Sequence, residues 1–264
     1  MTTSSFTGPI AEYYAEFRRG YPPPVIDRLM AALDLDDRSR VLDLGCGTGQ
    51  LTVPLAACTR SVLGVDIEAD MLRLARRAGQ DAGADNITWM LGADSDLGAL
   101  APWVGEHVLD AVTIGQAPHW MDPPRLFRAL RRLVRPGGGV AVITNGTPQW
   151  LQDVPWSRAL RRHLEAWLGI QLTARCGTDP SSRRAYREAL IAAGFDQIID
   201  AAVTYREDLT FAQLVGSVYS AMPLDQLPQP DEREAFEQQL RDALGASTFA
   251  EHVPVTLLVG RRGT

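Results

Sequence analysis

The feature that most constrains the fold is the stretch VLDLGCGTGQ at residues 41–50, where three glycines follow directly behind an apolar run. Glycine has no side chain, so it allows positive φ angles and lets a ligand approach the backbone closely. A turn of this kind between a strand and a helix directs backbone N–H groups at a bound ligand. The stretch therefore predicts the first strand of a nucleotide-binding sheet and the turn after it.

Short apolar runs alternate with amphipathic segments along the first half of the chain. The predicted strands are 41–44, 61–66, 87–91, 108–114 and 139–144, and the predicted helices are 22–35, about 50–58, 69–80 and 124–134. Buried strands that alternate with helices are typical of a parallel sheet with right-handed crossovers. We expect Pro136 and the glycines after it to end the helix 124–134.

The second half predicts how the sheet is completed. A helix at 182–193 and strands at about 196–205 and 253–261 fit the antiparallel hairpin that closes some doubly wound sheets. We therefore expect an α/β fold with a doubly wound, mostly parallel, seven-stranded Rossmann-like sheet and a helical insertion, or lid, after strand five.

We expect one domain, 1–264, made of four consecutive parts. These are an N-terminal helical cover (1–38), a cofactor-binding core (39–146), a helical insertion over the active site (147–181) and a C-terminal part that completes the sheet (182–264, with a helical cap at about 209–244). Long insertions in this architecture lie over the strand ends, where ligands bind. The insertion carries Trp150, Trp156 and Trp167, whose helical spacing favours core packing over a pocket lining.

Charge and composition narrow the function classes. The formal net charge of −6 disfavours a nucleic-acid substrate, because such binding depends on cations that neutralise phosphates. We expect a cytoplasmic protein with no membrane contact, since no run of about eighteen apolar residues and no signal peptide occurs. The three cysteines are too scattered for disulfides or a zinc site, so no metal is predicted. We expect a small-molecule partner and a monomer or homodimer.

The glycine spacing discriminates between nucleotides. Gly45, Gly47 and Gly49 follow the pattern G-x-G-x-G, whereas the dinucleotide fingerprint is G-x-G-x-x-G. A carboxylate at Asp43 repels a pyrophosphate but can hold an ammonium group. The pattern therefore disfavours a nicotinamide dinucleotide, and a simple tight turn at Gly45 is the alternative.

A second carboxylate, Asp66, ends the predicted second strand in VLGVDIEADM. It can accept hydrogen bonds from both hydroxyls of a ribose, and Ile67 and Met71 can then lie against an adenine face. Helix capping is the alternative role for Asp66.

These motifs resemble those of class I S-adenosylmethionine-dependent methyltransferases. VLDLGCGTGQLTVPLA resembles their first motif, GVDIEADMLRLAR their second, and LRRLVRPGGGVAVI the helix, turn and strand that follow the substrate-side strand. The resemblance covers roughly residues 10–145 and the last two strands. It implies S-adenosylmethionine as cofactor, with S-adenosylhomocysteine as its product.

The resemblance also implies residue roles. Gly45, Cys46 and Gly47 are expected beside the methionine part of the cofactor, with Asp43 below it, and Asp66 on the ribose. LGADSDL resembles the third motif, which predicts the adenine edge at Ala93, Asp94 and Ser95, although the usual acidic position holds Ala93. Gly115 and Gln116 are expected to border the transferred methyl group. AEYYAEFRRGYP resembles the family's opening motif, which implies that Tyr14 contacts the cofactor and that Arg18 pairs with the carboxylate of the cofactor. A surface arginine is the alternative role for Arg18.

The acceptor end of the site is predicted directly after strand four, in GQAPHWMD. His119 is the candidate general base there, with packing or cofactor orientation as its alternative role. Trp120 is a candidate wall of the cofactor pocket or, equally, a core side chain. We expect methyl transfer to an amine or hydroxyl of a small molecule in natural-product biosynthesis, with an aminosugar-like amine favoured. Carbon methylation of a quinone or polyketide and a noncatalytic cofactor-binding scaffold are the alternatives.

Overall fold

The computed structural model of the protein describes residues 6–99, 105–173 and 176–264. It divides into two compact units. The sheet unit contains Arg19–Asn145, Gly177–Val203 and Val255–Thr264, and the helical unit contains the chain up to Arg18, Gly146–Cys176 and Thr204–Pro254. Residues 100–104 and 174–175 lie outside the described residues, so the predicted insertion 147–181 is described only in part.

The helices and strands follow the predicted alternation. In chain order they are α1 (Pro9–Phe17), α2 (Pro23–Leu33), β1 (Arg40–Leu44), α3 (Thr52–Ala56), β2 (Ser61–Asp66), α4 (Ala69–Asp81), β3 (Ile87–Leu91), β4 (Leu109–Gly115), α5 (Pro123–Leu133), β5 (Val134–Asn145), α6 (Pro155–Leu168), α7 (Pro180–Ala192), β6 (Gln197–Thr210), α8 (Phe211–Tyr219), α9 (Arg233–Leu244) and β7 (Thr248–Arg261). Short 3-10 turns cover Asp94–Asp96, Pro118–Trp120, Gln149–Leu151 and Leu224–Gln226.

The seven strands form one sheet in the order β3-β2-β1-β4-β5-β7-β6, which confirms the predicted fold class. The pairs β1–β2, β1–β4, β2–β3 and β4–β5 are parallel, and β7 runs antiparallel to β5. The chain reverses its direction of winding between β1 and β4. Ligands of doubly wound sheets bind at this switch point, outside the carboxyl ends of the strands.

The junction between α5 and β5 differs from the prediction. The helix ends at Leu133, before Pro136 and the glycines, and these residues lie inside β5. A Cβ on Gly138 would stand 2.6 Å from the Asp110 carbonyl oxygen, and one on Gly139 would stand 2.8 Å from Leu33 Cδ2. The glycines are therefore required by close packing within the sheet unit, and they do not stop the helix.

Each unit has its own apolar core. In the sheet unit, buried side chains of β1, β4, α5, β5 and α7 pack together, with Phe127 and Phe195 among the largest. In the helical unit, side chains of α6, α8 and α9 surround Phe236 and Phe249. The predicted helical material at 209–244 resolves into α8 and α9 with a 3-10 turn between them.

No helix within the described part of the chain is long and apolar enough to cross a membrane.

Candidate functional site

The glycine turn after β1 is held to the end of β2 by its own backbone. The N–H groups of Gly45 and Cys46 donate to the Val65 carbonyl oxygen at 2.8 and 3.0 Å, and the Gly47 N–H donates to Asp66 Oδ2 at 2.8 Å. The expectation that these N–H groups point at a ligand is therefore corrected. The turn offers a ligand a surface with few side chains, while its donors fix the position of the carboxylate of Asp66.

Glycine is required at the first position of the turn by conformation and by space. Gly45 has a φ of 70°, and a Cβ there would stand 2.5 Å from the Cβ of Ala117, just after β4. A side chain at this position would push apart the turn and the segment after β4. The close approach keeps the ends of β1 and β4 together at the switch point of the sheet.

Asp43 is a buried carboxylate with 2% of its surface exposed. Its Oδ2 accepts from the Thr52 hydroxyl at 2.6 Å, and its Oδ1 accepts from the Thr113 hydroxyl at 2.8 Å. Burial raises the pKa of Asp43 to about 6, although the two hydroxyl donors oppose the rise. Thr113 stands opposite Asp43 in the pairing of β1 with β4, so this partner could have been predicted if the register of the two strands had been known.

Asp66 is also buried and carries two backbone N–H donors. Its Oδ1 accepts from the Glu68 N–H at 2.9 Å, and its Oδ2 accepts from Gly47. Burial raises the pKa of Asp66, while these two N–H groups act in the opposite direction. Glu68 occupies the N-cap position of α4, so Asp66 precedes the cap and is not itself the cap residue.

Beyond Asp66 the strand ends present apolar side chains to solvent. Ile67 is 65% exposed and Leu91, which ends β3, is 61% exposed. Asp66 pairs with Leu91 in the sheet register, so both apolar side chains lie at the same edge of the sheet. Met71 is buried. Sequence reasoning selected Ile67 and Met71 but missed Leu91. Its position as the last residue of the apolar run ITWML could have indicated that it lies at the carboxyl end of a strand.

The predicted adenine-edge residues lie around a 3-10 turn directly after β3. Asp94 and Ser95 are in the turn Asp94–Asp96, and Ala93 precedes it. The Ala93 N–H donates to Asp96 Oδ2 at 2.8 Å. The acid that stabilises this turn is therefore Asp96, which sequence reasoning did not select.

The end of β4 is tied to β5 and to the segment before α2. The Gln116 N–H donates to Ile143 O at 2.9 Å, and its side chain donates to Asn145 O at 3.2 Å. The Asn145 side chain donates in turn to Gly20 O at 3.1 Å. Gln116 has a φ of 57°, a conformation that costs a residue with a side chain about 1–2 kcal/mol. Strain of this kind is concentrated at functional sites.

Gly115 lies against an aromatic side chain that sequence reasoning did not select. A Cβ on Gly115 would stand 2.7 Å from the hydroxyl oxygen of Tyr21. Tyr21 is the tyrosine before the proline in AEYYAEFRRGYP, so the opening motif itself carried the signal. The motif therefore places a hydroxyl at the end of β4, beside one of the predicted methyl-bordering residues.

His119 lies in the 3-10 turn after β4, and its side chain is partly buried. Its Nδ1 is buried and has no hydrogen-bond partner within residues 6–99, 105–173 and 176–264. Burial lowers the pKa of His119 to about 4, so the imidazole is neutral at physiological pH. The Trp120 ring stands 4.8 Å from the His119 ring and is 61% exposed, which excludes the alternative of a core tryptophan.

A second segment of the sheet unit packs against His119. A Cβ on Gly177 would stand 3.2 Å from the His119 Cβ and 2.6 Å from the Tyr186 hydroxyl oxygen. Gly177 has a φ of 73°, so this position favours glycine by conformation as well. The histidine is thereby enclosed by the chain that leads into α7.

Near the carboxyl ends of the central strands, two further buried polar atoms resemble the His119 Nδ1 in having no hydrogen-bond partner within the described residues. The Thr48 hydroxyl in the glycine turn and the Asn145 Oδ1 at the end of β5 have no hydrogen-bond partner among the described residues. Such groups are usually satisfied by water or a ligand. Their positions, after β1, β4 and β5, are where a doubly wound sheet binds its ligand.

Tyr14 and Arg18 belong to the helical unit. The Arg18 Nε donates to the Ser220 hydroxyl at 2.8 Å, and its guanidinium carbon stands 5.2 Å from the centroid of the Tyr14 ring. Phe17 packs on α8, where a Cβ on Gly216 would stand 2.2 Å from its ring. The carboxylate partner predicted for Arg18 remains a prediction.

Two of the insertion tryptophans donate hydrogen bonds within the helical unit. Trp156 Nε1 donates to Ala250 O at 3.1 Å, and Trp167 Nε1 donates to Gln226 O at 3.3 Å. Trp150 packs against the same core, but its buried Nε1 finds no partner in the described ranges. Trp150 and Trp156 therefore pack against the core, as their helical spacing favours, whereas Trp167 is 38% exposed.

Comparison with known families matches the segment that carries the glycine turn. Residues 41–138 match the model of the methyltransferase domain family. This segment runs from β1 into β5 and includes both buried carboxylates and His119.

Curated relatives match a similar part of the chain. An uncharacterised methyltransferase of Mycobacterium tuberculosis is 36% identical over 144 residues, which are 53% of this chain and 54% of that protein. The trans-aconitate 2-methyltransferase of an Azoarcus species is 38% identical over 117 residues, 43% of this chain and 42% of that protein. The matched segment thus spans about half the length of these relatives.

A solved structure extends the likeness to nearly the whole chain. A proposed type II methyltransferase from Anaeromyxobacter dehalogenans superposes with a TM-score of 0.63, covering 94% of this chain and 100% of that one at 22% identity. At this identity the likeness establishes the fold.

Proposed function

Since the chain carries a class I S-adenosylmethionine-dependent methyltransferase domain, we propose that the protein transfers the methyl group of this cofactor to a small molecule. The observation that carries the proposal is the pairing of the glycine turn with the buried carboxylates Asp43 and Asp66 at the ends of β1 and β2. When bound, the cofactor supplies an electrophilic methyl group on a sulfonium centre.

The residues present suit such a cofactor in charge and shape. Asp43 and Asp66 are carboxylates that can hold an ammonium group and the two ribose hydroxyls. The exposed Ile67 and Leu91 offer an apolar surface for an adenine ring. The Thr48 hydroxyl in the turn, which has no partner within the described ranges, offers a further polar contact. A pyrophosphate would meet two carboxylates here, so a dinucleotide suits the site poorly.

On the acceptor side, His119 is the proposed general base. Its imidazole is neutral, and its Nδ1 has no partner among the residues that the structure describes, so it is able to accept a proton from an amine or a hydroxyl. A pKa of about 4 makes it a weak base, so alignment of acceptor, methyl and sulfur carries much of the rate enhancement. Gly177 lies close to the Cβ of His119, so the chain that leads into α7 limits the space around this histidine.

We propose a metabolite-sized acceptor in natural-product biosynthesis, with an amine of an aminosugar type favoured over a hydroxyl. The similarity to an enzyme named for trans-aconitate supports an acceptor of this size. Carbon methylation and cofactor binding without catalysis are the competing proposals, and analysis of the methylated atom separates them.

Calorimetry with S-adenosylmethionine, S-adenosylhomocysteine and NAD tests the cofactor. We expect the first two to bind and NAD to show no comparable affinity. Incubation with S-adenosylmethionine and a panel of amines, phenols and sugars should then form S-adenosylhomocysteine in proportion to methylated product. Binding of NAD with equal affinity would contradict the cofactor assignment, and binding without turnover on any acceptor would favour the scaffold.

A further inference from the structure

We propose that an arginine pocket on α7 binds the phosphate group of an anionic small molecule. The pocket is a cavity of about 470 Å³ within the sheet unit. It is lined by Thr178, Pro180, Arg183, Arg184, Arg187 and Asp200. Its volume lies in the range of about 300–1,000 Å³ that is typical of small-molecule sites.

The charge of the lining matches a dianion. Arg183 donates to Asp200 Oδ1 at 2.8 Å, and Arg187 donates to Asp200 Oδ2, so one carboxylate serves two guanidinium groups. Arg184 is exposed and adds a third positive charge. With three arginines and one aspartate, the lining carries an excess of two positive charges, which is the charge that a phosphate monoester neutralises.

The crowding of cations is visible at Arg183. Its side chain is partly buried and also donates to the Thr256 hydroxyl. Burial, and then the charge of Arg187, lower the pKa of Arg183. A bound anion would relieve this repulsion and accept N–H groups that Asp200 cannot take, since guanidinium groups bind oxyanions in two-pronged fashion.

The acidic groups nearest to the pocket along the chain, Asp179 and Glu188, are not among the residues that line it. Asp179 is the N-cap of α7, and its oxygens accept from the hydroxyls of Ser181 and Ser182 and from the Ser182 N–H. Glu188 follows Arg187 on α7 but does not line the cavity. The negative net charge of the whole chain disfavours a nucleic acid as the source of the phosphate, so we assign the pocket to a small molecule.

The pocket adjoins the proposed acceptor end of the site along the chain. Thr178 lines the pocket, and the residue before it, Gly177, packs on His119 and Tyr186. The inference does not require methyl transfer, however, since it rests only on the shape and charge of the cavity.

Calorimetric titration of the full chain with inorganic phosphate at about pH 8 tests the proposal. We expect saturable binding, with acetate binding much more weakly because it carries one charge. Arg184→Gln should weaken phosphate binding by about tenfold or more, the worth of one charge-assisted hydrogen bond. Arg128→Gln is the matched control, because it removes the same charge from an exposed position on α5 and should leave phosphate binding unchanged.

Arg187→Gln, which leaves Asp200 paired with Arg183, provides a second variant with the same expected direction. S-adenosylmethionine affinity, measured on the same samples, should not change in any of the three variants. The proposal is overturned if phosphate shows no saturable binding, if acetate binds as well as phosphate, or if Arg184→Gln and Arg187→Gln behave like Arg128→Gln. Failure of the wild-type chain to bind S-adenosylmethionine would concern the proposed function alone.

Discussion

The glycine turn after β1 and the His119 turn after β4 lie at the same edge of the sheet but are built in opposite ways. In the glycine turn, successive N–H groups are fixed by Val65 and Asp66. In the His119 turn, the ring is held by packing, and its buried Nδ1 has no partner in the described part of the chain. Backbone hydrogen bonds thus fix the first turn and packing fixes the second, while each turn holds one buried polar atom, the Thr48 hydroxyl or the His119 Nδ1, that has no partner among the described residues.

The difference teaches which half of the site the protein organises in advance. Fixed carboxylates and tight glycines suit a ligand that is the same in every turnover, because the hydrogen-bond geometry can be specified once. A partly buried, neutral imidazole suits a methyl acceptor that must lose a proton during the reaction. Mutations in the two turns should therefore affect different measurements.

The largest expected effect tests the acceptor half. His119→Ala should lower turnover by about 10²–10⁴ while leaving cofactor affinity nearly unchanged, because general base catalysis has that typical worth. Steady-state turnover and calorimetry measure the two quantities separately. Because only neutral imidazole accepts a proton and burial lowers the pKa of His119 to about 4, wild-type activity should fall on the acid side near pH 4.

His252→Ala is the matched control for this prediction, since His252 is exposed on β7. It should keep the turnover of the wild type. If His119→Ala also keeps most of its turnover across the pH range, His119 only packs, and the acceptor reaches the site already nucleophilic.

The next effect tests the cofactor half. Asp66→Ala removes the proposed ribose acceptor and the partner of the Gly47 N–H. Cofactor binding should weaken by about 2–4 kcal/mol, roughly 30- to 1,000-fold in dissociation constant. Asp70→Ala, in the first turn of α4, is the control and should bind cofactor as the wild type does. An unchanged dissociation constant in a folded Asp66→Ala protein would leave Asp66 with a structural role alone.

The fold and the positions of the two carboxylates at the strand ends could be predicted because they depend on local patterns. Alternating apolar runs predicted all seven strands, and the glycine spacing with Asp43 and Asp66 predicted where the carboxylates stand. The use of the turn's N–H groups could not be predicted, because their acceptor, Val65 O, belongs to another strand. Such contacts depend on how neighbouring strands are aligned, and this alignment cannot be read from a single sequence.

The position of His119 after β4 could be predicted from the sequence, but the burial of its ring nitrogen could not. The place of His119 after β4 follows from the strand pattern, whereas its burial depends on Gly177, far along the chain. The arginine pocket was missed for a related reason. Arg183 and Arg187 share a face of α7 by helical spacing, but Asp200 and Thr256 join them only through the fold.

The smallest effect tests whether the buried carboxylate of Asp43, just before the glycine turn, lowers the free energy of unfolding. Burial raises the pKa of Asp43 to about 6, so at pH 8 the folded state holds an ionised carboxylate in a dry site. As the pH falls through 6, the folded form takes up a proton before the unfolded form does, and the free energy of unfolding of the wild type should rise. Asp43→Asn lacks this titration and should be the more stable protein at pH 8, by on the order of 2 kcal/mol. Its advantage should shrink towards pH 5.

Urea unfolding of both proteins between pH 5 and pH 8 measures this difference, in which the contributions of other titrating groups cancel. Asp85→Asn, which makes the same substitution at an exposed position, is the matched control and should not gain the stability at pH 8 that Asp43→Asn gains. If Asp43 also holds the ammonium group of the cofactor, the wild-type affinity for S-adenosylmethionine should rise between pH 5 and pH 7 as the carboxyl ionises. Asp43→Asn should then bind more weakly, with no such rise. If the affinity is equal in both proteins and does not change with pH, Asp43 does not contact the cofactor. Its carboxylate would then serve only to accept the hydrogen bonds from Thr52 and Thr113.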